Sequence, residues 1–395
     1  MKVLHIGKYF PPHAGGMENY LKDLMVEQHR QGIQAVALVH QSAISLRSTT
    51  YRITICDQRL LITKAAVWAR LLFTPLSPSL PFCLAQLINE HAPDIIHLHM
   101  PNLSALWVLL LPATRGIPLV VHWQSDVVPS DHSIGLRFFY RLYRPLEQSV
   151  LKRCDKVLVT STPYLNSSLA LRHYRNKCVV VPLGMDPTMA RFPPPVGALT
   201  PSRTSLRVLA VGRLTYYKGF DVLLKATAKM PKIQLHLVGS GEREKHLKKL
   251  ATGLGLNQRV FFHGYLPDSE LGRQFSDCDC VCLPSIERTE SFGLVLLEAM
   301  LHGKATIASD VPGSGMGWVV EDGKTGLLVE PGNVQALIAA LTKLEASPER
   351  RLAMGAMGRC RFDQEFQINR SAAEITKIYL ELTNENDITG STPDI

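Results

Sequence analysis

At 395 residues the chain is too long for one compact core, which predicts two domains. Hydrophobic residues make up 46% of it, yet no apolar run reaches the length of a membrane span; the best, Leu103 to Leu111, stops at Pro112. The net charge of +9 sits in one half: residues 1–200 carry 20 Lys and Arg against 11 Asp and Glu, whereas residues 201–395 carry 23 of each. An anionic surface is therefore expected to meet the first half alone.

The chain enters a strand-like run at Lys2–Gly7 at once, leaving no room for a signal peptide and predicting a cytoplasmic protein. The eight cysteines fit that compartment, and disulfides are not expected. Further strands are predicted at Gln34–Val39, Asp94–His99, Pro118–His122, Lys156–Thr160 and Cys178–Pro182. Helices are predicted between them at Met17–Arg30, Pro81–His91, Leu103–Arg115 and Ser133–Arg153. This rhythm predicts βαβ units on a mainly parallel sheet in a domain over residues 1–190. The stretch from Leu183 to Ser205 breaks it with Pro187, Pro193-Pro194-Pro195 and Pro201, so 191–205 reads as a linker.

A second alternation, over 206–364, has strands at Leu206–Gly212, Ile233–Gly239, Arg259–His263, Asp279–Pro284, Ala305–Ser309 and Gly326–Val329. Its helices are expected at Phe220–Met230, Glu242–Leu254, Phe292–His302 and Val334–Leu344. A helix over 365–382 is expected to pack back on the first domain, followed by a disordered polar tail over 383–395. Two doubly wound domains imply ligands in a cleft at the carboxyl ends of their strands.

Several motifs along this frame carry chemistry. Gly15-Gly16 before the first helix permits close approach of backbone to a phosphate or sugar, and also fits a plain flexible turn. His97-x-His99 places two imidazoles on one strand face; without a visible third ligand they read as structural or cleft-lining. Gly135-Leu-Arg-Phe-Phe-Tyr-Arg-Leu-Tyr-Arg-Pro145, continuing to Lys152-Arg153, mixes arginines and aromatics at helical spacing. It fits an interfacial helix and equally a helix packed on a sheet with its arginines in solvent. No recognised nucleic-acid-binding motif is present.

In the second half, Arg213 and Lys218 in Val211-Gly-Arg-Leu-Thr-Tyr-Tyr-Lys-Gly219 follow the first strand, where they can hold a pyrophosphate. Leu237-Val-Gly-Ser-Gly-Glu242 has a glycine turn but Glu244 where a dinucleotide fingerprint needs its third glycine, which argues against an NAD site. Cys278, Cys280 and Cys282 alternate as small buried side chains of a strand would, and Cys154 and Cys178 have no partner that would make them nucleophiles. Glu290-Ser-Phe-Gly-Leu-Val-Leu-Leu-Glu298 starts a helix whose amides suit an anion, flanked by carboxylates about two turns apart. A phosphate site between two carboxylates suggests an activated sugar.

In this order across two Rossmann-like halves, these motifs resemble the retaining GT-B glycosyltransferases of family 4. The resemblance runs from Gly15-Gly16-Met-Glu18 through Gly212-Arg213…Lys218-Gly219 and Glu290-x7-Glu298 to Asp322-Gly-Lys-Thr-Gly-Leu-Leu-Val329. It implies that Gly16 and the amides at Gly293 and Leu294 contact phosphate, that Arg213 and Lys218 hold the diphosphate, that Glu298 binds ribose, and that Glu290 faces the donor sugar. Gly239, Ser291 and Phe292 complete the implied donor set, and Leu266 in Gly264-Tyr-Leu266 borders the nucleobase. Family relatives place a histidine where Val121-His122-Trp123-Gln124-Ser125-Asp126 has Gln124. Glutamine cannot act as a general base. Either the departing phosphate takes the acceptor proton, or His122, pointing the same way as Gln124 in extended chain, supplies an imidazole.

The resemblance implies a hexose moved from a nucleotide diphosphate sugar, GDP-mannose as first choice, with no metal or other cofactor. Pro312-Gly-Ser-Gly-Met-Gly-Trp318 is similar to the equivalent stretch in bacterial transferases of O-antigen and exopolysaccharide chains. A lipid-linked or saccharide acceptor near Asp126, at the inner face of the plasma membrane, is the expected partner. The alternatives are a soluble acceptor, or a non-catalytic nucleotide-sugar-binding partner of a polysaccharide assembly complex.

Overall fold

The computed structural model describes residues 1–13, 15–71, 74–128, 134–189 and 205–389. The chain forms two compact units, one of Met1–Pro182 with Ile368–Ile395 and one of Leu183–Gln367.

The first unit contains β1 (Lys2–Ile6), α1 (Gly16–Arg30), β2 (Gln34–His40), β3 (Thr49–Ile55), β4 (Gln58–Ala65), the short pair β5 (Ala69–Leu71) and β6 (Thr74–Leu76), α2 (Leu80–His91) and β7 (Ile95–Met100). It continues through α3 (Ala105–Leu110), β8 (Leu119–Trp123), α4 (Ile134–Arg153), β9 (Lys156–Val159), α5 (Thr162–Ser167) and β10 (Cys178–Val180). Its sheet runs β10-β9-β8-β7-β1-β2-β4-β3, parallel throughout except for β3. Because β1 lies between β2 and β7, the winding reverses at the β1/β7 boundary. Such a reversal opens a crevice at the strands' carboxyl ends. One face buries Leu4, Ile6, Leu98 and Trp123; under α1 the other buries Leu21, Met25, Ala37 and Ile62.

The second unit contains β11 (Leu206–Val211), α6 (Phe220–Lys229), β12 (Ile233–Val238), α7 (Glu244–Gly253), β13 (Val260–Gly264), α8 (Asp268–Asp277), β14 (Cys280–Leu283), α9 (Leu294–Leu301), β15 (Ala305–Ser309), α10 (Met316–Val319), β16 (Gly326–Val329), α11 (Val334–Ala346) and α12 (Pro348–Glu365). Its six strands are parallel in the order β13-β12-β11-β14-β15-β16, so its switch point lies between β11 and β14. Cys280 and Cys282 fill core positions under this sheet, and all eight cysteines are free thiols. The last helix, α13 (Ile368–Thr389), returns to the first unit, where Ser371 Oγ donates to Pro182 O over 2.7 Å.

Three expectations need correction. The first domain ends at Pro182, not at 190, because Met185 N donates to Phe366 O over 2.9 Å and so ties the next segment to the second unit. Glu365, Phe366 and Gln367 likewise stay with that unit. Residues 383–389 are helical rather than disordered: α13 buries Ile375, Ile378, Tyr379 and Leu382, and each residue added to an anchored helix gains a backbone bond without a new nucleation cost. Residues 190–204, nearly the whole proposed linker, lie outside the described residues, as do 390–395.

The β3–β4 hairpin escaped the sequence reading for a local reason. Its two turn residues, Cys56 and Asp57, both have positive φ (48° and 63°). Such turns usually announce themselves by Asn-Gly or Asp-Gly, and Cys-Asp carries no such signal.

Candidate active site

Past β11 the chain turns through Gly212, Arg213 and Leu214 and makes a short helical turn ending at Lys218. Gly219 then adopts the left-handed conformation (φ 65°) as the N-cap of α6. A Cβ there would lie 2.1 Å from Pro284 O, so the loop after β11 presses directly on the carboxyl end of β14. Ile286 N donates to Tyr217 O over 2.8 Å, closing the same contact. The two strands flanking the switch point thus bring their following loops together.

This contact seats Lys218 against Glu290. The ammonium and carboxylate form an ion pair, with side chains 11% and 13% exposed. Burial works against the charged ammonium, but Glu290, then Tyr217 and Glu298, outweigh it and raise the Lys218 pKa above its ordinary value. Lysine therefore stays cationic in a partly dehydrated place, where a positive charge acts on a ligand with little screening. Glu298, half-buried one turn into α9, contributes to that field and so belongs to the same cluster.

The loop carrying Glu290 is clamped from the other side. Ser314 Oγ donates to Glu290 O over 2.5 Å, and Gly315 N donates to Ser291 O over 2.6 Å. Phe292 is buried and packs on Trp318 and Phe366, with ring centroids 6.2 and 6.1 Å away. Arg361 braces the group by donating to Trp318 O at 3.0 Å and lying over both rings. Gly293 is the N-cap of α9 with no side-chain cap; Leu296 N already donates to Gly293 O over 2.8 Å, and the amides of Leu294 and Val295 open the helix with no earlier helical carbonyl to meet. Ser314 was not singled out from the sequence; a lone serine in a glycine-rich stretch gives no signal of which carbonyl it will meet.

Other expected donor residues of this unit lie on the loops next to the β11 turn. Arg213 is exposed at the end of β11. A Cβ on Gly239, just past β12, would lie 2.0 Å from Gly212 O, so only glycine lets these two turns touch. Gly239 N also donates to Gly264 O over 2.7 Å, which draws in the loop with half-buried Leu266. A cavity of about 700 Å³ elsewhere in this unit, between β16, α11 and α12, includes Asp322, Lys343 and Met357. It contains neither Lys218 nor the two glutamates.

The first unit has its own cleft at its own switch point, lined by Lys8, Tyr9, Glu18, His99 and Gln124. Gly16 starts α1 beside it, and the Glu18 carboxylate folds over Gly15, where a Cβ would meet Oε2 at 2.0 Å. Gln124 borders this cleft and lies 3.4 Å from His99 Nδ1 through its amide nitrogen. His122 does not line it. It is fully buried behind, stacked on His97 and His99, and burial first, with His5 adding, lowers its pKa to about 3. An imidazole so weakly basic and so enclosed is poorly suited to take a substrate proton, so the histidine alternative to Gln124 loses its footing. The Asp126 carboxylate, expected at the acceptor, accepts from Trp123 Nε1 at 2.7 Å and from Ser168 Oγ at 2.8 Å. These bonds fix the segment that carries Gln124.

The basic helix α4 is divided. Arg153 donates to Thr114 O at 2.6 Å and so is spent on structure, whereas Arg141, Leu142, Arg144 and Lys152 face solvent. Among the described residues no helix is long and apolar enough to cross a membrane.

Two parallel doubly wound units, one with a cation and two carboxylates at its switch point, define a sugar-transferring enzyme of the GT-B type. Family models agree: residues 15–184 match the glycosyl transferase 4-like domain and residues 199–361 match glycosyl transferases group 1. The chain is 28% identical to an O-antigen chain mannosyltransferase C of Escherichia coli, over 97% of this chain and 99% of that one. It is 32% identical to a D-inositol 3-phosphate glycosyltransferase of Corynebacterium aurimucosum, covering 73% and 72%. Its fold is similar to that of a sucrose-phosphate synthase from Thermosynechococcus elongatus, with a TM-score of 0.80 at 22% identity over 97% and 99%. The chain belongs to the GT-B glycosyltransferases of family 4. It is a nucleotide-sugar hexosyltransferase.

Proposed function

We propose that the protein transfers mannose from GDP-mannose, with retention, to a lipid-linked saccharide during assembly of a bacterial surface polysaccharide. The observation that carries this reading is the buried Lys218–Glu290 pair at the β11/β14 switch point, with Glu298 in the same cluster. The likeness to the E. coli O-antigen mannosyltransferase along nearly the whole of both chains supports the choice of sugar and pathway.

In this reading the bond from C1 of the sugar to the β-phosphate oxygen breaks, and the acceptor hydroxyl oxygen bonds to C1 on the same face. Its proton passes to the departing phosphate oxygen, so no protein base is needed and Gln124 suffices as a hydrogen-bonding residue. Lys218, Arg213 and the α9 amides stabilise the negative charge growing on the diphosphate. Glu290 faces the sugar and supports its oxocarbenium character; Glu298 holds the ribose. The positive charge comes from side chains and amides, and neither a metal nor an organic cofactor enters the step.

Thermal-shift measurements with UDP-, GDP-, ADP- and dTDP-sugars test the donor. A ligand at roughly 100 times its Kd adds about 2.7 kcal/mol of stability, enough to read. GDP-mannose is expected to give the largest shift and Arg213→Ala to remove most of it. Protection by another nucleotide class alone would overturn GDP-mannose, and protection by none would overturn the donor site.

The exposed strip Arg141-Leu142, Arg144 and Lys152, with Leu142 66% exposed, supports docking on an anionic lipid surface. Co-sedimentation with vesicles containing anionic lipid is expected, and should be lost with neutral vesicles or high salt. Equal recovery in the supernatant for both vesicle types would instead favour a soluble acceptor.

A further inference from the structure

Four imidazoles share one face of the first unit's sheet. In the register of the parallel strands His5 lies beside His97 and His99 beside His122, and two-residue alternation along β7 puts His97 and His99 on the same side. All four are buried. A sheet face under a helix is normally apolar, and each buried ring nitrogen needs a partner.

The outward nitrogens of three of them have one. His5 Nε2 lies 2.7 Å from Gln28 Oε1 on α1, His97 Nδ1 contacts the Tyr379 hydroxyl on α13, and His99 Nδ1 lies 3.4 Å from the Gln124 amide. Gln28 Nε2 in turn donates to Tyr379 OH over 3.3 Å. The inward nitrogens have much less. His5 Nδ1 and His99 Nε2 face each other at 3.1 Å, and His97 Nε2 has no hydrogen-bond partner. One ring nitrogen from each of the three histidines lies within 4.8 Å of the other two.

We propose that His5, His97 and His99 form a buried binding site for a divalent transition-metal ion of the zinc type. Nitrogens around a tetrahedral zinc at about 2.0–2.1 Å stand roughly 3.3 Å apart, close to the His5–His99 separation, so small ring movements suffice. Imidazole nitrogens are preferred ligands for zinc and its neighbours. Metal-bound histidines also need their second nitrogen held by an acceptor. Gln28 Oε1 and the Tyr379 hydroxyl serve His5 and His97. Gln124 serves His99 once its amide is turned, which engages an Oε1 that otherwise has no partner. His99 and Gln124 also border the cleft. The ion would tie β1 and β7 to α1 and α13 and fix Gln124 at the cleft wall of the first unit.

The test uses the untagged full chain, stripped with a chelator and titrated with Co²⁺ while visible absorption is followed, with zinc content measured by elemental analysis after Zn²⁺ loading and gel filtration. The expected result is one ion per chain, with the intense d–d bands of a nitrogen-rich four-coordinate site. His97→Gln should abolish the bands. Tyr379→Phe, which leaves all three ligands in place and retains the ring, should weaken affinity 10–100-fold. Should His97→Gln fail to fold, Tyr379→Phe and the wild-type stoichiometry still decide. Wild-type protein that retains well under one ion per chain overturns the proposal. So does binding unchanged in both variants, which would trace the ion to surface histidines.

Discussion

Replacing Lys218 by alanine is expected to reduce sugar transfer by a factor of about 10²–10³ in kcat, the usual loss when one preorganised charge-stabilising donor is removed. Stability should fall as well. Lys218 and Glu290 are both nearly buried, and deleting one partner strands the other charge, at a cost of about 3–5 kcal/mol. The double variant Lys218→Ala/Glu290→Ala separates the two effects. It should regain part of the lost stability, because no uncompensated charge remains, while its turnover stays as low or falls further. Steady-state kinetics and urea unfolding of Lys218→Ala, Glu290→Ala and the double variant check this. A kcat for Lys218→Ala within about threefold of wild type would remove Lys218 from the transition-state machinery.

Gly219→Ala is expected to be comparably severe although it touches no substrate. At φ 65° an L-residue pays about 1–2 kcal/mol for left-handed backbone, and the new methyl would sit 2.1 Å from Pro284 O and 3.0 Å from Ile286 Cγ2. Relief requires the loop after β11 to lift off the end of β14, which also draws Lys218 away from Glu290. We expect a loss of roughly 3–5 kcal/mol in the second unit's unfolding transition and a fall in kcat of at least about tenfold. Gly253→Ala, on ordinary helical backbone with nothing within 4 Å of its Cβ, is a control that lacks both the strain and the clash and should be nearly silent. Near wild-type stability for Gly219→Ala would show that the β11–β14 contact is not rigid.

Much of the fold was legible because alternating β-branched runs and amphipathic stretches encode their own periods. The strands at Lys2–Ile6, Leu206–Val211 and Ala305–Ser309 came out within a residue or two of expectation. The Glu290–Glu298 motif, with its left-handed Gly293, was legible for the same reason: a helix start is local chemistry. The Cys56-Asp57 turn was not, since the hairpin's register rather than its turn residues imposes the positive φ values.

The sequence by itself therefore determined the two parallel α/β units, the charge asymmetry and the family motifs, all written in residues close together along the chain. Only the tertiary structure decided which distant groups meet. It paired Lys218 with Glu290, set Ser314 under the Glu290 carbonyl, buried His122 while leaving Gln124 at the cleft, and added His5 as a third imidazole to His97 and His99. Those pairings depend on strand order and register, which bring residues tens of positions apart within hydrogen-bonding distance, and a linear pattern carries no record of them.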